Sequence, residues 1–396
     1  MKILMINSVC GIRSTGRICT DIAEMLEANG NTVKIAYGRL NVPEKYDKYA
    51  VRIGNTLDVG FHLGMSLLWD CSGLFSKSST ETFMKWLKEY DPDIIHLHNV
   101  HGFYINIEIL FDYLKNFHKK IIWTLHDCWA FTGHCAYFDY YECTKWKTGC
   151  YSCPAKKEYP PCYGLDRSSF NYNLKRKLFT GIEDLTIVTP SQWLADLVKE
   201  SFLRNYPVYV VHNDINHSVF KPVISPKKRF GIPENKKIVL GVASIWERSK
   251  GLVDFIKLSE MLSDQYQIVL VGLSKQQKQH LPEKIMGITH TTDVYELASL
   301  YSIADVFVNL TYEDNYPTTN LEAQACGTPV ISYRTGGSTE SALEFGMVVE
   351  KGDISAVASI ILNEHYLECE DHREKHDFLV EYAKIYENIC LKKEGG

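Results

Sequence analysis

The 396-residue sequence lacks any hydrophobic run long enough to cross a membrane. Such a span needs roughly 18 uncharged apolar residues in succession, and no window approaches that length. The first residues, MKILMINSVCGI, contain one lysine, a short apolar run and no cleavage pattern. We interpret them as a first buried strand rather than a signal peptide, and we expect a cytoplasmic protein.

The sequence also lacks an excess of positive charge. Its formal net charge is −5 and its pI is about 6.3, which argues against general nucleic-acid binding. It contains no internal repeat of fixed period and no low-complexity tract. At 396 residues with 45% hydrophobic content, it is longer than a single mixed domain usually is, so two domains are expected.

Two signatures of nucleotide-binding proteins are absent or incomplete. No Gly-x-Gly-x-x-Gly follows any predicted strand, so a dinucleotide oxidoreductase is poorly supported. Gly11 and Gly16 have the spacing of a phosphate loop, but Arg17 and Ile18 stand where that loop requires Lys and Ser or Thr. A nucleoside triphosphatase is therefore not expected. Gly16 is a candidate for close approach to a ligand, and the alternative is a tight strand-to-helix turn.

Short β-branched runs alternate with amphipathic helical patterns along the whole chain. This alternation predicts parallel sheets covered by helices on both faces. Residues 214–237 are rich in Pro and Lys and lack periodicity, so we interpret them as a linker. The fold class is thus α/β, with two Rossmann-like, doubly wound domains facing a cleft and with site residues in the loops after strands. The predicted strands are 2–7, 32–37, 94–99, 120–127, 185–191, 207–213, 237–244, 266–274, 287–292, 305–311, 329–333 and 346–353.

Histidines follow two neighbouring strands of the first predicted domain. His96, His98 and His101 come with one strand, and His126 and Asp127 come at the end of the next. A single histidine at a strand end is often structural. Two adjacent strands that both end in this way favour a functional site at the edge of the sheet.

Five of the twelve cysteines crowd into a short segment, and their spacing favours a metal. Cys150-x2-Cys153 is typical of a zinc knuckle, and two further thiols complete a closed, structural four-thiolate site. The alternatives are unliganded thiols or a disulfide, and His134 or Cys162 are alternative ligands. The four predicted zinc ligands are Cys135, Cys143, Cys150 and Cys153.

The segment around the Asp314 and Glu322 pair predicts an anion site. Backbone N–H groups that precede a helix, which we expect to start near Asn320, favour a phosphate. Glu322 could accept two hydrogen bonds from a diol such as ribose, or it could simply satisfy the helix dipole. In the loop after the first strand of the second domain, Arg248 and Lys250 could stabilise a departing phosphate, with a solvated helix start as the alternative.

At this point the residues resemble a known family. DNYPTTNLEAQACGTPVISYRTGGSTE resembles the E-x7-E segment of the retaining glycosyltransferases of family 4. Further landmarks of that family are similar to VTPSQWLADL, VVHNDINHSVFKP, SKGLVDFI and GMVVEKGD. TGR in the first loop and TLHDCWAFTGHC with the following cysteines resemble a bacterial polysaccharide-biosynthesis subgroup. The resemblance extends from the first strand to about residue 355.

The resemblance implies a GT-B fold and three segments. These are an acceptor-side N-terminal domain, 1–218, with a Cys-rich insertion, 133–162; a nucleotide-sugar-binding domain, 219–374; and a final helix, 375–396, that packs back on the first domain. It also implies roles for residues. The catalytic candidates are His126, Arg248, Lys250 and Asp314, and the donor-binding candidates are Gly16, Asn315, Tyr316, Pro317, Thr318, Thr319 and Glu322.

The sequence departs from the family pattern at two positions. The first acid is Asp314, one methylene shorter than the family's Glu, and Glu313 lies beside it. The family's Arg would fall on Ser244 or Ile245 and is absent, so Arg248 is the candidate replacement.

The resemblance implies a retaining glycosyltransferase of surface polysaccharide biosynthesis. It would move a sugar from a UDP- or GDP-sugar to a glycan or polyprenyl-linked acceptor, at the inner face of the membrane, with no catalytic metal. Structural zinc and peripheral membrane contact through 170–182 are further candidates, although an ordinary surface helix is favoured there. The alternatives are a non-catalytic nucleotide-sugar-binding partner, which the missing Arg supports, and an epimerase of the same architecture.

Overall fold

The computed structural model describes residues 1–368, 370, 372 and 377–391. They form two compact units: the N-terminal unit comprises residues 1–212 and resumes at Asp377, and the C-terminal unit begins at Asn213. The boundary predicted at 218–219 lies slightly later than this one, and the boundary predicted at 374–375 falls outside the described residues. Each unit has a parallel sheet with helices, so the predicted pair of Rossmann-like α/β domains is confirmed.

The strands follow the predicted runs but are shorter at their ends. They are β1 (Lys2–Ile6), β2 (Thr32–Tyr37), β3 (Ala50–Arg52), β4 (Ile94–Leu97), β5 (Lys120–Thr124), β6 (Leu185–Thr189), β7 (Val208–Val210), β8 (Lys237–Val242), β9 (Tyr266–Val271), β10 (Ile285–Ile288), β11 (Val306–Asn309), β12 (Val330–Tyr333) and β13 (Gly346–Val349). The prediction missed β3, because three half-exposed residues at a sheet edge carry no periodic pattern.

The α-helices cover the two sheets. They are α1 (Arg13–Ala28), α2 (Thr56–Trp69), α3 (Lys77–Tyr90), α4 (Ile107–Lys115), α5 (Ser168–Phe179), α6 (Gln192–Glu200), α7 (Leu252–Met261), α8 (Lys275–Gln279), α9 (Val294–Ile303), α10 (Thr318–Ala325), α11 (Ser338–Ala342), α12 (Ile354–Leu362) and α13 (Phe378–Leu391). The sequence pattern predicts helix starts near Ile18 and Asn320, and both helices begin earlier than that. The start of α1 at Arg13 shortens the first loop, and the start of α10 at Thr318 brings two threonines into its first turn.

In the N-terminal unit the strands pair in parallel in the order β3-β2-β1-β4-β5-β6-β7. Met5 of β1 pairs with Ile35 of β2 on one side and with His96 of β4 on the other. The connections run outward in both directions from the β1–β4 pair. The carboxyl ends of β1 and β4 therefore form the topological switch point, where open α/β sheets bind ligands.

The C-terminal unit repeats this plan with the order β10-β9-β8-β11-β12-β13. Its switch point lies between β8 and β11, which are neighbours in the sheet although α7, β9, α8, β10 and α9 separate them along the chain. Both strands are buried at their centres: Ile238–Leu240 of β8 and Val306–Val308 of β11 are fully or almost fully buried. Runs of this kind are expected for parallel strands covered on both faces.

The last helix, α13, belongs to the N-terminal unit. It packs against α1, and its apolar residues join the core cluster formed by β1, β2 and α1. Two tyrosines also fix it by hydrogen bonds: Tyr386 Oη lies 2.7 Å from His96 Nδ1, and Tyr382 Oη lies 2.9 Å from Thr124 Oγ1. His96 Nε2 contacts the same threonine at 2.8 Å, so a buried polar chain joins β4, β5 and α13.

Helix α2 presents an apolar surface to solvent. Leu57, Phe61 and Leu68 are 84%, 62% and 57% exposed, and Trp69 extends the same surface. Their spacing places the first three on one side of the helix. No helix in the described ranges is both long and apolar enough to span a membrane.

Candidate active site

The switch point of the C-terminal sheet brings two of the predicted site residues into contact. Lys250 follows β8 and Asp314 follows β11, so the adjacency of these strands places both side chains at one sheet edge. Lys250 Nζ lies 2.8 Å from Asp314 Oδ2 and 3.4 Å from Thr311 Oγ1. The side chains are 31% and 22% exposed, so a ligand can reach the ion pair.

The loop that carries Lys250 is held tightly against the end of β11. Arg248 and Lys250 lie in a 3-10 turn, and Gly251 then adopts a left-handed conformation with φ of 74°. A Cβ at Gly251 would overlap the carbonyl oxygen of Leu310, so only glycine fits. Tyr312 N also donates to Ser249 O at 2.7 Å. Arg248 is exposed on the same turn as Lys250.

The two glycines after β12 fix the backbone of Asp314. Gly336 has a φ of 51°, and a Cβ there would overlap the carbonyl oxygen of Asp314. Gly337 N donates to that same oxygen at 3.2 Å. Thr335 Oγ1 donates to Thr311 O at 2.9 Å, which joins the two loops again. The Thr-Gly-Gly sequence therefore holds the backbone that carries the Asp314 carboxylate.

The N-terminus of α10 lies directly after the Asp314 loop. Pro317 occupies the N-cap, and no described side chain caps this end of the helix. The first-turn N–H groups and the positive end of the helix dipole are thus directed toward the loop. Asn320 anchors the helix from the buried side: Asn309 Nδ2 donates to its Oδ1 at 2.8 Å, and its own Nδ2 donates to Ser341 Oγ at 2.9 Å.

Glu322 and Tyr316, both predicted to bind the donor, have different surroundings. Glu322 is half-buried and accepts a hydrogen bond from Tyr301 Oη at 3.0 Å. Burial, with the adjacent Glu322 charge, holds the pKa of Tyr301 well above its ordinary value, so this phenol stays a donor. Tyr316 is 4% exposed and donates to Glu344 Oε1 at 2.9 Å, and Asn315 is also buried. The side chain of Tyr316 therefore packs inward.

In the N-terminal unit, the predicted strand-end histidines come together. His98 Nδ1 lies 3.0 Å from His126 Nε2, and the two rings stack with centroids 5.3 Å apart. Next to them His101 Nε2 lies 2.9 Å from Asp127 Oδ2, and Trp129 N donates to the other oxygen of that carboxylate at 2.9 Å. These side chains line one small cavity at the ends of β4 and β5.

Burial keeps His98 and His126 uncharged. It lowers the pKa of His126 to about 4 and that of His98 well below the ordinary value. Burial alone would raise the pKa of Asp127, but the adjacent His101 outweighs that effect and the pKa is lowered. The arrangement thus combines two neutral imidazoles, those of His98 and His126, with one carboxylate. It is suited to hydrogen bonding with hydroxyl groups rather than to binding a phosphate.

Gly16 lies within the first turn of α1 and not in the loop. A Cβ there would approach Val9 Cγ2 to 3.0 Å and Gly11 N to 3.2 Å. Gly11 N donates to Gly16 O at 3.0 Å. The glycine therefore lets the helix pack closely on the turn that precedes it, which agrees with the tight-turn alternative. A contact between Gly16 and a ligand stays a prediction.

The Cys-rich insertion, residues 133–162, contains 3-10 turns but no α-helix or strand. A hydrogen bond joins the thiols of Cys135 and Cys153, and it lowers the pKa of Cys153 to about 7. Cys162 lies apart, because its sulfur donates to Leu165 O at 3.3 Å and its neighbour is Cys71. Within the described ranges, no three His, Cys, Asp or Glu side chains are already arranged to hold a metal ion.

Comparison with models of known protein families shows which family the chain matches. The model for Glycosyltransferase Family 4 matches residues 15–219, and the model for glycosyl transferases group 1 matches residues 225–384. The first of these matches spans more than half of the 396 residues.

This chain belongs to glycosyltransferase family 4.

The resemblance of its motifs to this family is therefore confirmed. The family 4 chain is 27% identical to the putative colanic acid biosynthesis glycosyl transferase WcaC of Escherichia coli K12. The similarity extends over 322 residues, which are 75% of this chain and 77% of that protein. The chain is 26% identical over 193 residues to the N-acetyl-α-D-glucosaminyl L-malate synthase of Bacillus anthracis, covering 45% of this chain and 50% of that one.

Solved structures show the same fold. Sucrose-phosphate synthase from Thermosynechococcus elongatus superposes with a TM-score of 0.72 at 16% identity, over 99% of both chains. Anabaena HepE in complex with UDP-glucose superposes with a TM-score of 0.64 at 14% identity, over 98% of this chain and 99% of that one. The expected GT-B class of fold, with two Rossmann-like domains, is thus confirmed for this family 4 protein.

Sequence reasoning missed several residues that shape the site. Tyr301 holds Glu322, and Tyr159 Oη in the Cys-rich insertion lies 3.2 Å from His101 Nδ1. Neither tyrosine belongs to a motif or lies near its partner in the sequence. The support that Gly336 and Gly337 give to Asp314 did have a signal, since paired glycines after a strand indicate a close backbone approach.

Proposed function

We propose that this protein is a retaining glycosyltransferase. It moves a sugar from a nucleoside-diphosphate sugar to a glycan or lipid-linked glycan during surface polysaccharide biosynthesis. The observation that carries the proposal is the contact of Lys250 with Asp314 at the β8–β11 switch point, directly before the uncapped N-terminus of α10. A cation and a helix dipole on one side of a loop carboxylate are suited to a ligand with both phosphates and a polar sugar.

The diphosphate is placed between Lys250 and the first turn of α10. Lys250 and the backbone N–H groups of Thr318 and Thr319 stabilise the negative charge that grows on the leaving nucleoside diphosphate. Arg248, on the same turn as Lys250, adds a second cation in place of the arginine that the family has earlier in this loop. Asp314 contacts the hydroxyl groups of the donor sugar, and its ion pair with Lys250 holds it in place.

Glu322 binds the ribose of the donor. It lies four residues after Thr318, which corresponds to about 6 Å along the helix axis. That separation is of the size that divides the diphosphate from the ribose hydroxyls. Tyr301 donates to one carboxylate oxygen, so the carboxylate is oriented before the ligand arrives. Glu322 therefore acts as an acceptor for the vicinal diol.

The reaction exchanges one C–O bond for another at the anomeric carbon. The bond between that carbon and the diphosphate breaks, and the bond to the acceptor oxygen forms on the same face of the sugar. The acceptor hydroxyl proton passes to an oxygen of the leaving phosphate, so charge and atoms balance. At the end of β5, His126 offers a neutral hydrogen-bonding group to a sugar hydroxyl, since burial lowers its pKa to about 4.

The name of one relative and the ligand of one structural neighbour guide the choice of substrates. A putative colanic acid biosynthesis enzyme is similar over most of the chain, which supports a polysaccharide acceptor. HepE has been solved with UDP-glucose, which makes UDP-sugars the first donors to test.

A lipid-linked acceptor requires contact with a membrane surface, and α2 is the better candidate for it. The segment 170–182, which combines basic and apolar residues, lies largely in α5, where Tyr172 and Phe179 face the core. By contrast Leu57, Phe61 and Leu68 on α2 face solvent. We expect sedimentation with anionic vesicles to fall when Phe61→Ser is introduced. Unchanged sedimentation, or none for the parent chain, would remove α2 from the proposal.

The release of nucleoside diphosphate tests the function. The purified chain is incubated with UDP-, GDP- and dTDP-sugars, with and without a glycan-lipid acceptor. We expect release from one donor that the acceptor accelerates, and a product whose anomeric configuration by NMR matches the donor. An inverted product would contradict retention. Binding without release from any donor would instead identify a non-catalytic nucleotide-sugar-binding partner.

A further inference from the structure

The thiols of the Cys-rich insertion lie close together in the fold, and the proposed glycosyl transfer does not use them. Cys135 and Cys153 share a hydrogen bond between their sulfurs. Cys150 packs against the backbone next to Cys135, since a Cβ at Gly133 would lie 2.7 Å from Cys150 Cβ. Cys143, Cys150 and Cys153 all pack against the same hydrophobic core cluster, of which Cys135 is a member.

Backbone N–H groups donate to two of these sulfurs. Gly133 N donates to Cys150 Sγ at 3.1 Å, and Ala155 N donates to Cys153 Sγ. Hydrogen bonds of this kind favour the thiolate over the thiol, because they stabilise negative charge on the sulfur. Thiolates, not thiols, are the form in which cysteine binds metals. The local backbone therefore directs two N–H groups at these sulfurs, while burial still raises the pKa of Cys150 to about 11.

A buried lysine, Lys175, lies next to the cluster, and negative charge there would stabilise its ammonium form. Lys175 on α5 is 3% exposed, and its Nζ donates to the carbonyl oxygens of Trp129 at 2.7 Å and Thr132 at 3.1 Å. In the described part of the chain, no carboxylate oxygen is close enough to Lys175 Nζ, within 4.0 Å, to form an ion pair with it. Buried charges are ordinarily paired. Burial lowers the pKa of Lys175 to about 7, and negative charge on Asp70, Cys150 and Cys135 opposes that effect.

The carboxylate whose charge acts most strongly on Lys175 is already occupied. Asp70 Oδ1 lies 2.5 Å from His134 Nδ1, and Asp70 Oδ2 accepts from Arg167 N at 2.9 Å. The remaining nitrogen of that histidine, Nε2, is buried and has no hydrogen-bond partner in the described structure. His134 is close enough to Cys153 to lower the pKa of that thiol. A buried imidazole nitrogen without a partner therefore lies beside the cysteine cluster, and it makes His134 the alternative fourth ligand that the test must distinguish.

We infer that Cys135, Cys143, Cys150 and Cys153 bind one Zn²⁺ ion as four thiolates. A closed set of four thiolates is typical of structural zinc, and it carries two negative charges in total. That charge provides the counter-charge for Lys175. The sulfurs of Cys135 and Cys153 are already in hydrogen-bond contact, and rotation of the side chains as the thiol protons leave would bring the four ligands around the ion.

The ion would support the histidine cluster at the end of β4 and β5. Ala136 N, next to the ligand Cys135, donates to Tyr159 O at 3.1 Å. Tyr159 Oη contacts His101 Nδ1 at 3.2 Å, and His101 in turn contacts Asp127. The insertion has no regular secondary structure to hold this geometry. A zinc ion that fixes Cys135 would therefore hold Tyr159 against His101.

Elemental analysis of the full purified chain is the primary test. We expect about one equivalent of zinc that survives dialysis and is released when a thiol-modifying reagent is added. Less than about half an equivalent, after purification without chelators and with zinc in the medium, would overturn the inference. A disulfide among the four cysteines, found by mass spectrometry of the unreduced chain, would overturn it as well.

Cobalt substitution identifies the ligands without relying on activity. Co²⁺ bound by four thiolates has intense sulfur-to-metal charge-transfer absorption together with the visible bands of a tetrahedral ion. Cys143→Ser should weaken the charge-transfer absorption by about a quarter, the share of one thiolate in a tetrahedral site. His134→Gln should leave it unchanged. The opposite pair of results would make His134 the fourth ligand and overturn the four-thiolate assignment.

Cys162→Ser is the matched control. Cys162 belongs to the same insertion and is fully buried, but its sulfur donates to Leu165 O at 3.3 Å. This variant should keep the full equivalent of zinc, and a loss comparable to that of Cys150→Ser would contradict the ligand set. Lys175→Met tests the counter-charge: competition with a chelator should show zinc affinity lowered by about tenfold or more, as for other groups behind a metal site.

Discussion

The two units present their candidate site residues in opposite ways. In the C-terminal unit, Lys250, Asp314 and Glu322 lie on short loops and a helix that directly follow adjacent strands, and neighbouring backbone fixes each loop. In the N-terminal unit, the histidines depend on a long irregular insertion and on the distant helix α13. The first kind of site is local and can be recognised in a motif. The second is assembled from segments far apart in the sequence.

The largest expected effect comes from removing the cation of the local site. Lys250→Ala should lower turnover by about 10²–10³-fold, because a preorganised group that stabilises transition-state charge is lost. Nucleoside diphosphate release measures the effect, and circular dichroism checks that the chain remains folded. Lys257→Ala is the matched control, since Lys257 is exposed and forms an ion pair with Asp254 at 3.4 Å that involves neither Lys250 nor Asp314. Near-normal turnover of Lys250→Ala would refute the assigned role.

Lowering the pH should destabilise the N-terminal unit more than the C-terminal unit. Burial lowers the pKa of His62 to about 4 and that of His96 to about 3, whereas an unfolded chain binds these protons near pH 6.5. The folded pKa is the lower one, so stability is present above pH 6.5 and is lost as the pH falls toward 4. From pH 7 to 5 each buried histidine should cost the N-terminal unit about 2 kcal/mol of unfolding free energy.

Hydrogen exchange resolved by mass spectrometry checks this difference. Peptides from β4 and β5 should lose protection between pH 7 and 5, after correction for the intrinsic exchange rate. Peptides from β8 and β11 form the internal control, because the described strands of that sheet contain no histidine. Equal loss of protection in both sheets would show that the buried histidines do not make the N-terminal unit acid-sensitive.

The glycine behind Asp314 gives a sharper test of how the local site is built. Gly336→Ala should destabilise the C-terminal unit by about 1–3 kcal/mol, from the left-handed backbone strain together with the overlap on Asp314 O. Gly231→Ala is the control, with φ of 74° but no atom closer than 3.5 Å to the added Cβ. Denaturant unfolding measures the loss of unfolding free energy in both variants, and the difference between them is the cost of the overlap with Asp314 O. Equal destabilisation would mean that the Asp314 loop adjusts to the added methyl group.

The smallest effect is expected at the group behind Glu322. Tyr301→Phe removes the hydrogen bond to Oε2 and should raise the donor KM by about three- to tenfold with little change in kcat, as for loss of uniform binding. Tyr266→Phe is the control, because its hydroxyl donates to Ile361 O at 2.9 Å, away from Glu322. A fall in kcat without a change in KM would contradict the ribose assignment.

The sequence predicted much of the fold because its signals are local. Each strand of the first sheet except β3 was recognised from a run of β-branched residues, and the family motifs placed Lys250 and Asp314 after strands. The starts of α1 and α10 were predicted too late. The sequence pattern allows Gly16 in the turn before α1 and places Thr318 and Thr319 before α10, whereas a glycine tolerates a helix turn and a helix can start directly after a proline.

The sequence by itself determined the α/β class, the two domains, the family and the contiguous motifs, because periodicity and short-range spacing encode them. Only the tertiary structure decided which distant side chains meet. It paired Lys250 with Asp314 through the adjacency of β8 and β11, Tyr301 with Glu322, and Tyr386 with His96. It also placed Lys175 beside the cysteines. Such contacts depend on strand order and packing, and no spacing along the chain specifies them.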